Sequence, residues 1–465
     1  MSPATSIFGN RLAHTARNFI STLSSSGPNS DGPANELGGK VFQGEFPEMR
    51  RSQVLMVSLG AAALAILAAI WKWPLPFESL LLRAAYLDVR ARSATFDVAH
   101  LRWAVRFQAT CWFLVAAVIP WISLVPDRIW RYLRPRIFQL SVTLGCSSAL
   151  FILLLHCGYE RPWYPLETLM KHPGSVPIFG QRLLWVWIAD LCQRVAPSWS
   201  YLRCFYLSQA LAIVLTVSMI GRWSGLFIHP SLRWTGQLLL VPMLSSTFTY
   251  FTFYDISIVF FYALCLYLLY RQRYFAFAIA IGIATLNHEN VLLLVILAGL
   301  ETFRQKFRVF AGATLGPLAL HVAVRLLLHH GFGTGQVVDW RIWTNLLYLL
   351  ANPRMYVEPA LALVFWWIAA VISWPDKEPF LRRVAILFPL LSAATFLYGQ
   401  FHEARQFDAL IPVAIAFMLS LAKSKIREAE TVPNSGRSER MAPRELALAS
   451  SSSRFPAASE ALAER

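Results

Sequence analysis

The chain has 465 residues, of which 56% are hydrophobic and only 15% charged. A soluble domain carries about 25% charged residues, so a water-soluble enzyme is excluded and a polytopic membrane protein is expected. The formal net charge of +16 sits mostly in short loops between apolar runs. That pattern sets membrane topology and excludes the basic soluble face of a nucleic-acid binder. The six cysteines (111, 146, 157, 192, 204, 265) have no metal-ligand spacing and read as small hydrophobes; a Cys157–Cys192 disulfide is not expected.

Residues 1–50 are polar, with Ser, Gly and Pro around Ser24-Ser25-Ser26-Gly27-Pro28, and read as a disordered cytoplasmic arm. Residues 51–136 form an N-terminal pair of spans, about 53–71 and 105–124, around an amphipathic segment with Arg83, Asp88, Arg90 and Arg92. Arg128, Arg131, Arg134 and Arg136 in the next loop mark the cytoplasmic side. Residues 137–422 are the membrane core. Span three, 137–157, exits to an outer segment, 158–200, whose apolar, Trp-rich stretch 183–192 suits the interface. Spans four to six, 201–220, 236–250 and 256–270, end at Arg271 and Arg273 inside.

Thr285-Leu286-Asn287-His288-Glu289-Asn290 then interrupts an apolar run. A charge there costs roughly 2.5–3.5 kcal/mol in lipid. Basic clusters flank it, Arg271/Arg273 before and Arg304, Lys306 and Arg308 after. A single crossing puts one cluster outside; a hairpin of two short helices with 287–290 at its tip keeps both inside. Each arm is ~15–20 Å long, too short for a ~30 Å core. Span eight, 309–328, exits to an outer segment, 329–356; spans nine to eleven, 357–374, 384–399 and 409–422, follow, and 423–465 reads as a disordered cytoplasmic tail. The expected fold is all-α, a polytopic helical bundle of about eleven spans plus one re-entrant-like hairpin.

This topology collects the unusual polar groups on the outer side: Glu160 and Arg182, Asp255, His288 and Glu289, then His402, Glu403 and Arg405. Carboxylates beside cations in a membrane-shielded cleft suit acid/base chemistry and anion binding. Each residue also has a plainer role open to it: Glu160 a solvated loop acid, Arg182 a snorkelling cation, Asp255 a helix cap, Glu403–Arg405 an interfacial ion pair.

The order Glu160, Trp163-Tyr164, then Pro177-Ile178-Phe179-Gly180-Gln181-Arg182, followed by Asn287-His288-Glu289 and Glu403-Ala404-Arg405-Gln406-Phe407, resembles the pattern of bacterial GT-C-type membrane glycosyltransferases and their relatives over about 140–422. Two positions depart from it: Glu160 stands where aspartate is usual, and His288 where arginine is usual. The N-terminal span pair is also additional. The resemblance implies a GT-C-like core in a bacterial inner membrane with its active face extracytoplasmic. It implies transfer of a sugar from a polyprenyl phosphate to a lipid, glycan or protein acceptor, with inversion. Glu160 is then the general base, while Arg182 and Arg405, with His288 or His402, stabilise the leaving phosphate. Glu289 and Asp255 orient those cations or hold a divalent metal, for which no ligand spacing is present. A transporter or flippase, and a polymerase or ligase of lipid-linked glycans, are the rival classes.

Overall fold

The structure, a computed structural model, describes residues 62–72, 98–124, 135–157, 182–228, 232–247, 255–332, 340–372, 374–401 and 403–431. The arm expected at 1–50 lies outside these residues; of the disordered tail expected at 423–465, residues 423–431 instead continue the last helix, Ile411–Thr431, and the rest lies outside. Among the described residues every regular element is helical. Helices α1 (Ala62–Lys72), α2 (Val98–Leu124) and α3 (Pro135–Cys157) come first. Then follow α4 (Leu184–Val195), α5 (Tyr201–Ser224), α6 (Trp234–Thr247), α7 (Asp255–Tyr270), α8 (Tyr274–Thr285) and α9 (Leu292–Thr302). Helix α10 runs as Phe307–Phe310, a π-turn Ala311–Leu315 and Gly316–Phe332. The last helices are α11 (Ile342–Ala351), α12 (Val357–Val371), α13 (Pro379–Val384), α14 (Leu387–Tyr398) and α15 (Ile411–Thr431).

Four helical stretches are long and apolar enough to cross a membrane: Phe138–Leu155, Tyr201–Ser224, Phe307–Gly331 and Pro379–Tyr398. Shorter apolar helices, among them α7, α8, α11 and most of α12, stand beside them. The chain is a membrane protein by this measure, and its outside agrees. Phe275, Leu327 and Leu361 face outward at 62% exposure or more, whereas Gln209 and Gln237 are buried. In water that distribution would be inverted. In lipid it is the cheap one, because only the interior can satisfy polar groups.

Polar side chains tie the helices together where lipid gives little drive for association. Gln237 on α6 donates to Thr143 Oγ1 on α3 (3.0 Å) and to the Val217 carbonyl on α5 (3.0 Å), while Arg233 donates to Gln139. The Trp223 indole on α5 donates to the Pro412 carbonyl at the start of α15 (2.7 Å). Close backbone approach completes the seam: a Cβ on Gly236 would sit 1.8 Å from Ser224 Oγ.

The expected hairpin is present and α10 is the ruler that measures it. Near the start of α10, Gly312 lies against Tyr274, at the beginning of α8, and Thr314 lies against Gly299, near the end of α9. Further along, His321 bonds Thr285 (2.9 Å) and Arg325 bonds Glu289 (3.0 Å). Both arms therefore begin at one level, that of the basic clusters, and the tip lies about ten residues up α10, ~15 Å away. Helix α8 stays close to α10 because Gly282 has no side chain; a Cβ there would meet Leu320 at 2.6 Å. The outer segment expected over 329–356 contains a regular helix, α11, whose Trp343, Leu347 and Leu350 are exposed. Stretch 183–192 forms most of α4. It packs on the first half of α5 through Trp185, Val186 and Ala189 against Tyr201, Cys204 and Phe205. Cys192 is a free thiol.

Candidate functional site

The tip of the hairpin is a turn the sequence makes polar for structural reasons as well as chemical ones. Helix α8 ends at Thr285, whose hydroxyl bonds back to the Ile281 carbonyl (2.7 Å). His288 then leaves the helix in an extended conformation and its Nδ1 accepts the Asn290 N–H (3.2 Å), capping a short 3-10 turn, Glu289–Val291. With Nδ1 accepting, a neutral His288 carries its proton on Nε2. Asn287 turns inward, 1% exposed. Its Oδ1 accepts from the Trp185 indole of α4 (3.0 Å) and the Ser257 hydroxyl of α7 (2.6 Å). The Asn290 carbonyl accepts from Tyr262 (2.8 Å), and the Leu286 carbonyl from the Leu184 N–H (3.2 Å). Three separate parts of the chain are thus pinned at one turn.

Charge is arranged on two sides of that turn. On one side Glu289 is held by two arginines. Arg182 reaches it with Nη2 (2.5 Å) and Nε (3.2 Å), the fork geometry that suits a carboxylate or a phosphate, and Arg325 with Nη2 (3.0 Å). The arginine side chains are 9% and 15% exposed, whereas the Glu289 side chain is 42% exposed. Glu289 neutralises one of the two cations, which leaves this side cationic. On the other side Arg405 lies between Glu403 (2.6 Å) and Asp255 (3.4 Å), all three buried. Gln406 donates to the same Glu403 oxygen (3.0 Å). This side is anionic by one charge, and fully buried Asp408 lies five residues from Glu403 along the chain. Helix α7 joins the two sides, since its Asp255 pairs with Arg405 and its Ser257 donates to Asn287.

The sequence-based candidates that are described all come together here. Arg182, His288 and Glu289 form the first side; Asp255, Glu403 and Arg405 form the second. Arg182 is a buried ion-pair partner, not a snorkelling one, and Asp255 begins α7 while also pairing with Arg405. Glu160 and His402 lie outside the described residues, as do Trp163, Tyr164 and Phe179. Among the described residues no group of three or more His, Cys, Asp or Glu is placed to hold a metal. Asp255 and Glu403 are both engaged with Arg405.

Two residues were not foreseen, Arg325 and His321 on α10. Both were hidden in a run dominated by leucine, valine and alanine. Their spacing of four residues puts them on one helix face, and a cation inside an apolar span is a site by default; that was the available signal. Comparison with protein-family models, with curated proteins and with solved structures finds no match.

Proposed function

We propose that the protein is a GT-C-like membrane glycosyltransferase of about eleven spans, moving a sugar from a polyprenyl-phosphate donor to an acceptor on the extracytoplasmic side of a bacterial inner membrane. The observation that carries this reading is the half-exposed Glu289 held between Arg182 and Arg325 at a membrane-shielded turn. Two guanidiniums converging there form a seat for one phosphate group, and the hairpin tip reaches only part of the way along a helix that is long enough to cross. A lipid-linked donor can enter such a level sideways, its polyprenyl chain remaining in hydrocarbon.

In the reaction the acceptor hydroxyl attacks the anomeric carbon and Glu160 takes its proton. The carbon–oxygen bond to phosphate breaks with inversion. The electron pair leaves on the phosphate, whose growing charge is met by Arg182, Arg325 and the His288 Nε2–H, with Arg405 behind them. Glu289 and Asp255 orient these cations.

Membranes containing the full chain, incubated with radiolabelled polyprenyl-phosphate sugars, should transfer label to an acceptor. Arg182→Gln and Glu160→Gln should each lose at least about a hundredfold, the scale of a removed oxyanion donor or catalytic base. No transfer by wild type from a broad donor panel, or equal transfer by Glu160→Gln, refutes the reading. The interrupted helix pair α8/α9 with charges at its break also suits a transporter; counterflow of the same lipids without transfer would establish that alternative.

A further inference from the structure

A groove lies at the opposite, basic end of the bundle. It runs between the end of α9, the last turns of α12, the turn Trp374–Asp376 and the α13–α14 junction, with a volume of about 380 Å³. Leu300, Trp367, Trp374 and Ile386 line it, and Arg382 and Arg383 edge it. Leu300 is 49% exposed and Trp367 45%, so the groove opens outward toward lipid. Its level is fixed by α7, whose last residue, Tyr270, donates to Glu378 (2.7 Å) and packs against Phe380. Arg271, Arg304 and Arg308 belong to the same end.

The two arginines are not equivalent. Arg383 uses Nε to bind Glu301 (2.6 Å), which holds the guanidinium in place with about half its side chain exposed. Arg382 is exposed and makes no side-chain bond or ion pair among the described residues. A guanidinium carries five donors, so one fixed and one unengaged guanidinium stand at the rim of an apolar groove. The tryptophans are where amphipathic rings settle, at the level of lipid headgroups. Basic pockets between membrane helices are suited to anionic headgroups.

We propose that this groove binds one anionic phospholipid of the surrounding bilayer, its phosphate on Arg382 and Arg383 and one acyl chain along Leu300, Trp367 and Ile386. Charge complementarity selects the anionic lipid over a zwitterionic one, since a second positive group on the headgroup would face the arginines. The site is independent of the transferase reading and lies at the other end of the protein from it.

Native mass spectrometry of the full chain in detergent, titrated with phosphatidylglycerol or with phosphatidylcholine of the same acyl chains, tests this. Phosphatidylglycerol should bind wild type about tenfold more tightly, and Arg382→Gln should weaken it about fivefold, the contribution of one basic residue near a lipid phosphate. Arg382→Lys should restore most of the affinity. Leu300→Trp, which narrows the groove without changing charge, should also weaken binding. Arg304→Gln, on the same basic end but not lining the groove, should not. Equal binding of the two lipids, an equal loss in Arg304→Gln, no effect of Leu300→Trp, or displacement of the lipid by millimolar inorganic phosphate would each overturn the proposal.

Discussion

Replacing Glu289 by glutamine keeps the shape of the hairpin tip and removes one charge. Arg182 and Arg325, at 9% and 15% side-chain exposure, would then face each other without their shared carboxylate. Breaking a buried pair from one side costs about 3–5 kcal/mol, because a charge is left uncompensated. Glu289 serves two cations but is itself partly exposed, so solvent screening puts the expected loss at the lower end, about 3 kcal/mol. At about 2 °C per kcal/mol for a large chain, the detergent-purified variant should melt about 6 °C lower than wild type. The variant also leaves the two guanidiniums without an anion. Inorganic phosphate or pyrophosphate should therefore restore stability selectively, by about 2.7 kcal/mol at a hundred times its dissociation constant. Adding Arg325→Gln should cost less than the sum of the two single changes, because the residues interact directly. A Glu289→Gln protein as stable as wild type, or one stabilised by phosphate no more than wild type, would refute the two-arginine clamp.

Other outcomes can be checked with the same melting assay. Asn345→Leu removes donors to the Phe396 and Gly399 carbonyls and the acceptor of the Phe401 N–H; stability should fall by about 3 kcal/mol. Gly236→Ala forces a Cβ to within 2.7 Å of Ser224 Cβ, for an expected loss of about 1–3 kcal/mol, and Ser224→Gly should recover most of it; no recovery would place the strain elsewhere. Trp185→Phe keeps an aromatic ring but loses the bond to Asn287, so about 1 kcal/mol should go.

The helical architecture was legible because lipid imposes a simple rule: long apolar runs, with bases between them. The expected spans 137–157, 201–220 and 256–270 fall on α3, α5 and α7. The hairpin was legible for a sharper reason. Basic clusters on both sides of a short polar interruption leave charge parity one economical solution, and α10 bears out that solution contact by contact. What the sequence concealed was the partner in α10. Hydropathy averages over a window, so Arg325 disappears among its leucines, and only the face it shares with His321 distinguishes it. The interior arrangement was equally hidden. Nothing local to Asn287 says that one of its oxygens joins α4 to α7, since those partners lie 102 and 30 residues away. Helix α11 was missed because histidines and charges at both ends of 329–356 masked the ten apolar-rich residues between them.

The separation of Glu289 from its partners has a consequence for how the chain is made. Arg182 precedes it by 107 residues and Arg325 follows it by 36. When the α8/α9 hairpin leaves the ribosome, its carboxylate has one cation to meet, and the second arrives only after most of α10 has been synthesised. Neither arm is long enough to hold the bilayer alone. Stable insertion of the hairpin must therefore wait for the helix downstream. A nascent chain halted with the hairpin outside the ribosome but α10 still within it should leave the hairpin accessible to water-soluble labels, and one halted once α10 has emerged should shield it.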